Sequence, residues 1–326
     1  LTNAQKHKIN YYLSKKWGLE STMDSDGDGV KDITDGFPMD PSQIVALPDF
    51  SDTVSENIEE DPGFDNTFES SLQLWLDASN INANNNSGIT SGNTVDTWND
   101  LSGNGNDAAQ TNPTHQPVYT NGRLDFEVES TDVLEFNSDF DMGSNWNVFV
   151  VADVSSTSSQ SNHRVLFRKG GNIPVIVANF DKNLHTYVGS WRGSGFNMTQ
   201  YTGDSVIQVS GYDGNTAFAV DGDYSNPIVT DLQHTGAVQS VGGHIGSLQA
   251  FGKIAEILVF SGTLTNAQKH KINYYLSKKW SLEATMDSDG DGVKDNVDTD
   301  PMGDPPPNTA PTVSNVTGIG KTSTAL

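Results

Sequence analysis

The chain has no cysteine, which removes disulfide bridges, thiol catalysis and thiolate metal sites together. It is also short of positive charge. Only 18 Lys and Arg stand against 42 Asp and Glu, a net charge of -24. Such a surface repels phosphate backbones and anionic lipid, so nucleic acid and acidic membranes are excluded as partners. No apolar run approaches the roughly 18 residues that a spanning helix needs. The amino end shows neither an initiator Met nor a leader pattern, and the expectation is a mature or excised segment. Apolar residues make up only 34%, but 31 glycines bring the chain close to the globular norm of about 45–50%. A sizeable core is therefore possible. At 326 residues the chain suits one large β domain with attachments.

What is present first of all is a repeat. LTNAQKHKINYYLSKKW occurs at Leu1 and again at Leu264, and the match runs on through MDSDGDGVKD. Across 32 positions only Gly18/Ser281 and Ser21/Ala284 differ, which implies recent duplication within a longer parent. Each copy reads as a helix followed by an acidic loop. Thr2 precedes Gln5, and Thr265 precedes Gln268, at the spacing of a capping box. Ile272, Tyr275, Leu276 and the region of Trp280 then fall on one helical face. Lys269, Lys271, Lys278 and Lys279, with Lys6, Lys8, Lys15 and Lys16 in the first copy, are expected on the solvated face.

Between Phe68 and Phe260 the pattern changes to short runs of strand composition split by Gly, Asn and Asp, among them SLQLWLDAS, NVFVVADV, SVIQVSG and KIAEILVF. Ten or more strands without intervening helices predict a two-sheet sandwich. NVFVVADV is apolar on both parities, as expected of a strand covered on both sides.

The acidic loops carry the clearest chemistry. Asp24, Asp26, Asp28, Val30, Asp32 and Asp35 match Asp287, Asp289, Asp291, Val293, Asp295 and Asp298. Carboxylates at positions 1, 3 and 5, glycine at 6 (Gly29, Gly292), a carbonyl at 7 and acids at 9 and 12 are the spacing of an EF-hand-type calcium loop. Hard oxygen donors in this number suit calcium, whereas zinc prefers His or Cys. Asp in place of Glu at the twelfth position predicts weak affinity, about 10⁻⁴–10⁻³ M. Phe37-Pro38, Asp40-Pro41 and Asp300-Pro301 end each loop without a second helix, which excludes a paired EF-hand. The string DSDGDGVKDxxD with a trailing Asp-Pro resembles thrombospondin type 3 calcium repeats of bacterial surface proteins. That resemblance implies a calcium-rigidified joint between domains.

LQLWLDAS followed by VDTWNDLSGNGNDAAQ resembles the opening of a bacterial laminin-G-like, concanavalin A-like jelly roll, and KIAEILVFSGTLTNAQKHKINYYLSKKWSL resembles its close. The resemblance implies a jelly roll with a C-terminal helix over residues 68–282, with Trp75, Trp98 and Trp280 as apolar anchors and Asp100, Ser102, Gly103, Asn104 and Gly105 as a turn. It also implies a class whose members bind sugars, proteins or calcium, or serve as spacers.

Catalytic patterns are thin. Asp125, Glu127 and Glu129 share one strand face, with Glu135 nearby, but the order does not fit sandwich-type glycoside hydrolases. The seven histidines show no ligand spacing, and Gly193-Ser194-Gly195 reads as a turn. Tyr187, Trp191, Arg192 and Phe196, within YVGSWRGSGF, are the candidate contacts for a sugar or protein ligand, because aromatic faces stack on sugar rings.

The expected organisation is a helix of a preceding repeat (1–18), a calcium loop (19–40), an acidic linker (41–67), the jelly roll with its closing helix (68–282), a second calcium loop (283–303) and a Pro-rich spacer opening a further β domain (304–326). The expected role is a non-enzymatic, calcium-stabilised repeat of a large bacterial extracellular protein: an adhesin, stalk or filament whose repeats meet head to tail, with glycans or other surface proteins as possible partners. A carbohydrate-binding module of a secreted polysaccharide-active enzyme is the first alternative and a glycoside hydrolase the second.

Overall fold

The computed structural model describes residues 2–17, 19, 21–27, 30–32, 70–126, 132–153, 164–169, 173–178, 183–187, 191–212, 214–224, 228–229, 237–242, 249–250 and 252–303. The expected linker (41–67) and spacer (304–326) lie outside them. The chain is mainly β, built as a sandwich of two sheets. One sheet runs β14 (Ile228–Val229), β13 (Asn215–Val220), β12 (Asp204–Tyr212), β7 (Trp146–Asp153), β17 (Lys253–Ser261), β5 (Arg123–Asp125) and β4 (Val118–Thr120). β1 (Leu72–Asp77) pairs with β17 beside β5, so the first and last strands of the sandwich close on each other. The second sheet runs β11 (Trp191–Asn197), β10 (Asn183–Tyr187), β9 (Ile173–Ala178), β8 (Arg164–Lys169), β15 (Ala237–Gly242), β6 (Val133–Asp141), β3 (Ala108–Ala109) and β2 (Thr97–Trp98). β16 (Gln249–Ala250) adds to β8 in parallel.

Side chains alternate across a strand, and here both sides are used. Val148 and Val150 of β7 and Ile257 and Val259 of β17 face the core between the sheets, with Leu74, Leu76, Trp98 and Phe126. Their neighbours Phe149, Val151, Leu258 and Phe260 face the other way, into a second core with Ile272, Leu276, Leu264 and Met286. Helix α2 (Asn266–Lys279) thus covers the outer face of the first sheet, which is why NVFVVADV is apolar on both parities. Phe149 and Phe260 meet edge to face at 6.0 Å, a favoured aromatic geometry. The turn at Asp100 is structural: its carboxylate accepts from the amides of Trp75 (3.0 Å), Ser102 (3.0 Å) and Asn106 (2.9 Å).

Helix α2 begins as expected, with Thr265 and Gln268 forming a reciprocal capping box (2.8 and 3.3 Å). Helix α1 (Asn3–Trp17) repeats it in the first copy, where the Gln5 side chain is outside the described residues. Both helices end in a Schellman closure, Leu19 N to Ser14 O at 3.0 Å and Leu282 N to Ser277 O at 2.8 Å.

Two expectations are corrected. Gly193-Ser194-Gly195 is no turn but part of β11, which pairs with β10. Gly193 faces His185, whose ring would lie 3.1 Å from an added Cβ, so glycine is there for close approach. Lys279 is not on a solvated face, because the ammonium is drawn under the helix by two acids of the sandwich, as described next.

Candidate metal centre and its seat

The second acidic loop builds itself from short aspartate turns. Asp287 accepts the amides of Gly290 (2.8 Å) and Gly292 (2.9 Å), Asp289 that of Asp291 (3.1 Å), and Asp291 that of Val293 (2.7 Å). Gly290 and Gly292 stand at φ +77° and +99°, left-handed conformations that favour glycine. The winding brings carboxylate oxygens of Asp287, Asp289 and Asp291 within 4.8 Å of one another, with Asp287 and Asp289 buried and Asp291 exposed.

Asp298 joins them electrostatically. Burial, then the charges of Asp291, Asp298 and Asp287, push the Asp289 carboxyl up to about 7. One oxygen of Asp298 accepts the Asp300 amide at 2.8 Å, and its other oxygen is buried without a hydrogen-bond partner. Three hard carboxylates held against their mutual repulsion, with the unused buried oxygen of Asp298 in the same loop, fit a calcium ion by donor type and charge. Asp287, Asp289, Asp291 and Asp298 would hold it, together with the carbonyl of Val293, and the ion would supply the positive charge they lack.

Asp295, expected at the ninth position, is not one of the three clustered carboxylates; its two oxygens accept the Ser288 amide and hydroxyl at 2.7 Å each. It staples the loop shut. Asp32 does the same in the first copy, taking the Ser25 amide and hydroxyl at 2.7 Å each. There Asp24 caps Gly27 (2.7 Å) and Asp26 is buried, Val30 is half-buried, and Asp28 and Asp35 are outside the described residues.

The second loop rests on the sandwich. The Asp287 amide donates to the Asp221 carbonyl at 3.2 Å, and a Cβ on Gly222 would overlap the Asp287 carbonyl. Gly290 packs on the Tyr224 ring, and Asn273 of α2 donates to Tyr224 Oη (2.9 Å) and the Ser288 carbonyl (3.4 Å). Burial pushes the Asp221 carboxyl up to about 6, although it accepts the Val206 amide at 2.8 Å.

Helix α2 is fastened by a buried carboxylate that no motif announced. Glu256, fully buried on β17, accepts from Trp75 Nε1 (2.8 Å), Tyr275 Oη (3.0 Å) and Trp280 Nε1 (2.6 Å), and pairs with Lys279 Nζ (2.8 Å). Lys279 also reaches Asp77 at 2.7 Å and lies 5.4–5.5 Å from the ring centres of Trp75, Tyr275 and Trp280. Burial pushes Glu256 up while Lys279 pulls it back; burial works against the Lys279 charge, but Glu256 and Asp77 outweigh it and hold its pKa above the ordinary value. The signal was one acid inside KIAEILVF, a strand otherwise apolar on both sides.

The remaining candidates scatter. Phe196 is corrected: it is buried in the core between the sheets, so it offers no stacking face. Tyr187 and Trp191 are opposed across the β10–β11 pair, and Arg192 follows on β11; their side chains are outside the described residues. Glu127 and Glu129 are also outside them, while Asp125 pairs with Lys253 (3.7 Å) and Glu135 with Arg168 (3.0 Å). A cleft of about 380 Å³ opens beside α2, its lining mixing polar side chains such as Asn147, Gln208, Tyr212 and Lys269 with apolar Phe218 and Leu264.

No protein-family model matches the chain, and no curated protein does. Similar solved structures include Trypanosoma rangeli sialidase in complex with sialic acid, at 10% identity and TM-score 0.41, over 64% of this chain and 33% of that one. The botulinum neurotoxin serotype D binding domain matches at 13% and 0.44, over 65% and 53%. Domain 4 of AbnA, a GH43 extracellular arabinanase from Geobacillus stearothermophilus, in complex with arabinotriose, matches at 14% and 0.38, over 61% and 96%. This chain spans a third of the sialidase's length. Likeness at this level says nothing of what this chain binds.

Proposed function

We propose that the chain is a non-enzymatic structural or adhesive repeat of a bacterial extracellular protein, a laminin-G-like sandwich whose exit is braced by calcium. The observation that carries this reading is the cluster of Asp287, Asp289 and Asp291 with the buried, unused oxygen of Asp298, seated on the sandwich at Asp221 and Gly222. A divalent cation there would relieve the repulsion and lock the loop against the sheet. The chain leaving the loop would then point in a set direction, as a stalk or filament needs. Calorimetry on the whole chain tests it: calcium uptake at millimolar concentration is expected, and Asp287→Asn with Asp289→Asn should remove the second loop's share of it. No uptake overturns the reading.

The cleft beside α2, with its mixed polar and apolar lining, favours a second reading, a carbohydrate-binding module. Its amides, hydroxyls and Tyr212 and Tyr224 suit a sugar, and a glycan array on the whole chain tests it, with any binding expected to fall on Tyr212→Ala. Hydrolysis has little to stand on, since Asp125 and Glu135 are both paired with cations. Turnover of a polysaccharide by the whole chain would overturn the non-enzymatic reading.

A further inference from the structure

Helix α1 carries the docking face of α2, but among the described residues nothing covers it. Where Ile272 and Leu276 are fully buried, Ile9 and Leu13 are 45% and 42% exposed. Tyr12 and Trp17, the counterparts of Tyr275 and Trp280, are 60% and 66% exposed. The described residues of the two units otherwise make matching contacts. Asn10 donates to the Ser25 carbonyl at 3.2 Å as Asn273 does to Ser288, and Ser14, like Ser277, is fully buried. Lys16 even takes the stance of Lys279, 5.7 Å from the Tyr12 ring centre and 5.6 Å from that of Trp17.

We propose that α1 docks on a second β-sandwich of the same design as residues 70–261, covering its outer sheet as α2 covers this one. The partner is recognisable by chemistry. It presents a buried acid in the place of Glu256 to receive the Tyr12 hydroxyl, the Trp17 indole and the Lys16 ammonium, a second acid in the place of Asp77, and an indole in the place of Trp75. Two carboxylates in the seat and one lysine on the helix give the charge complementarity. The sandwich of its own chain is taken, because α2 fills the seat and follows β17 directly, so its short connection gives it a far higher effective concentration there than α1 has through the long segment between Trp17 and Leu72. The contact therefore runs from one unit to the next and does not close on itself. This rests on the repeat reading but not on calcium.

The test places a second copy of residues 70–263 ahead of Leu1 of the complete chain, so that the join reproduces Thr263–Leu264. Hydrogen exchange is followed over residues 3–17 and 266–279, with and without calcium, whose uptake is measured separately. Protection of residues 3–17 is expected to rise about tenfold or more over the unfused chain, toward that of residues 266–279. Tryptophan emission should shift to the blue as Trp17 is covered. Glu256→Gln in the added sandwich alone should lower protection of residues 3–17 and leave residues 266–279 unchanged. Residues 3–17 left as unprotected as in the unfused chain overturn the proposal. So does an added sandwich that stays unfolded, since α1 is what would complete it. Concentration-dependent protection of residues 3–17 in the unfused chain also overturns it, because that assigns the face to pairing between two α1 helices. Failure of calcium uptake with α1 protected would overturn the calcium brace and leave the docking intact.

Discussion

Residues 2–32 and 265–295 are nearly the same sequence in two settings. The described residues of the two copies share a helix with the same end, an aspartate stapled by a serine one residue after the loop's first acid, and an asparagine tying helix to loop. What differs is everything outside the copy. α2 has Phe149, Val151, Leu258 and Phe260 beneath it and a buried acid to hold its lysine; α1 has exposed apolar side chains instead. Local sequence is enough to build the module, and only a neighbour gives its face a purpose. An isolated helix of this length is marginal in water, so packing supplies most of its stability.

The largest way to sharpen this contrast is to truncate the same leucine twice. Leu276→Ala should cost about 3–5 kcal/mol in denaturant unfolding of the sandwich, as expected where a fully buried leucine leaves a cavity. Leu13→Ala should cost that transition less than about 0.5 kcal/mol. Equal losses would mean that α1 is covered after all. Glu256→Gln comes next. It leaves Lys279 leaning on Asp77 alone and sets an amide before two indole donors, a loss of about 2–4 kcal/mol. A change below about 1 kcal/mol would show that apolar packing alone seats the helix.

Calcium separates the two loops more gently. At ten to a hundred times its dissociation constant the ion should add about 1.4–2.7 kcal/mol to the sandwich through the second loop, read as a rise in melting temperature. Asp289→Asn should abolish that rise, while Asp26→Asn should leave it intact. The smallest effect lies at the one helix-end position where the copies differ. Ser281 is held at φ 57°, where the first copy has Gly18. Ser281→Gly should therefore stabilise the chain by about 0.5–1 kcal/mol in thermal unfolding, and a loss instead would place the strain elsewhere.

Much of this was legible beforehand because it is local. The cap of α2, its 3.6-residue apolar stripe of Ile272 and Leu276, strand alternation and the clustered aspartates of the second loop all act over a few residues, and each stands where expected. What was not legible has a tertiary cause. An aromatic side chain in YVGSWRGSGF suits a sugar contact and a core position equally, and only the pairing of β10 with β11 turns the Phe196 ring inward.

By itself the sequence determined the β class, the duplicated helix-and-loop unit and the acid cluster, since periodicity, capping and Asx turns are written within a dozen residues. Tertiary structure alone decided the seat. Trp75 and Glu256 are 181 residues apart and meet only because β1 pairs with β17, and Asp221 and Gly222 reach Asp287 only once β13 has been laid beside β12. No local pattern encodes such a meeting. A buried carboxylate can be told from a surface one only when the groups that satisfy it have been brought together by the fold.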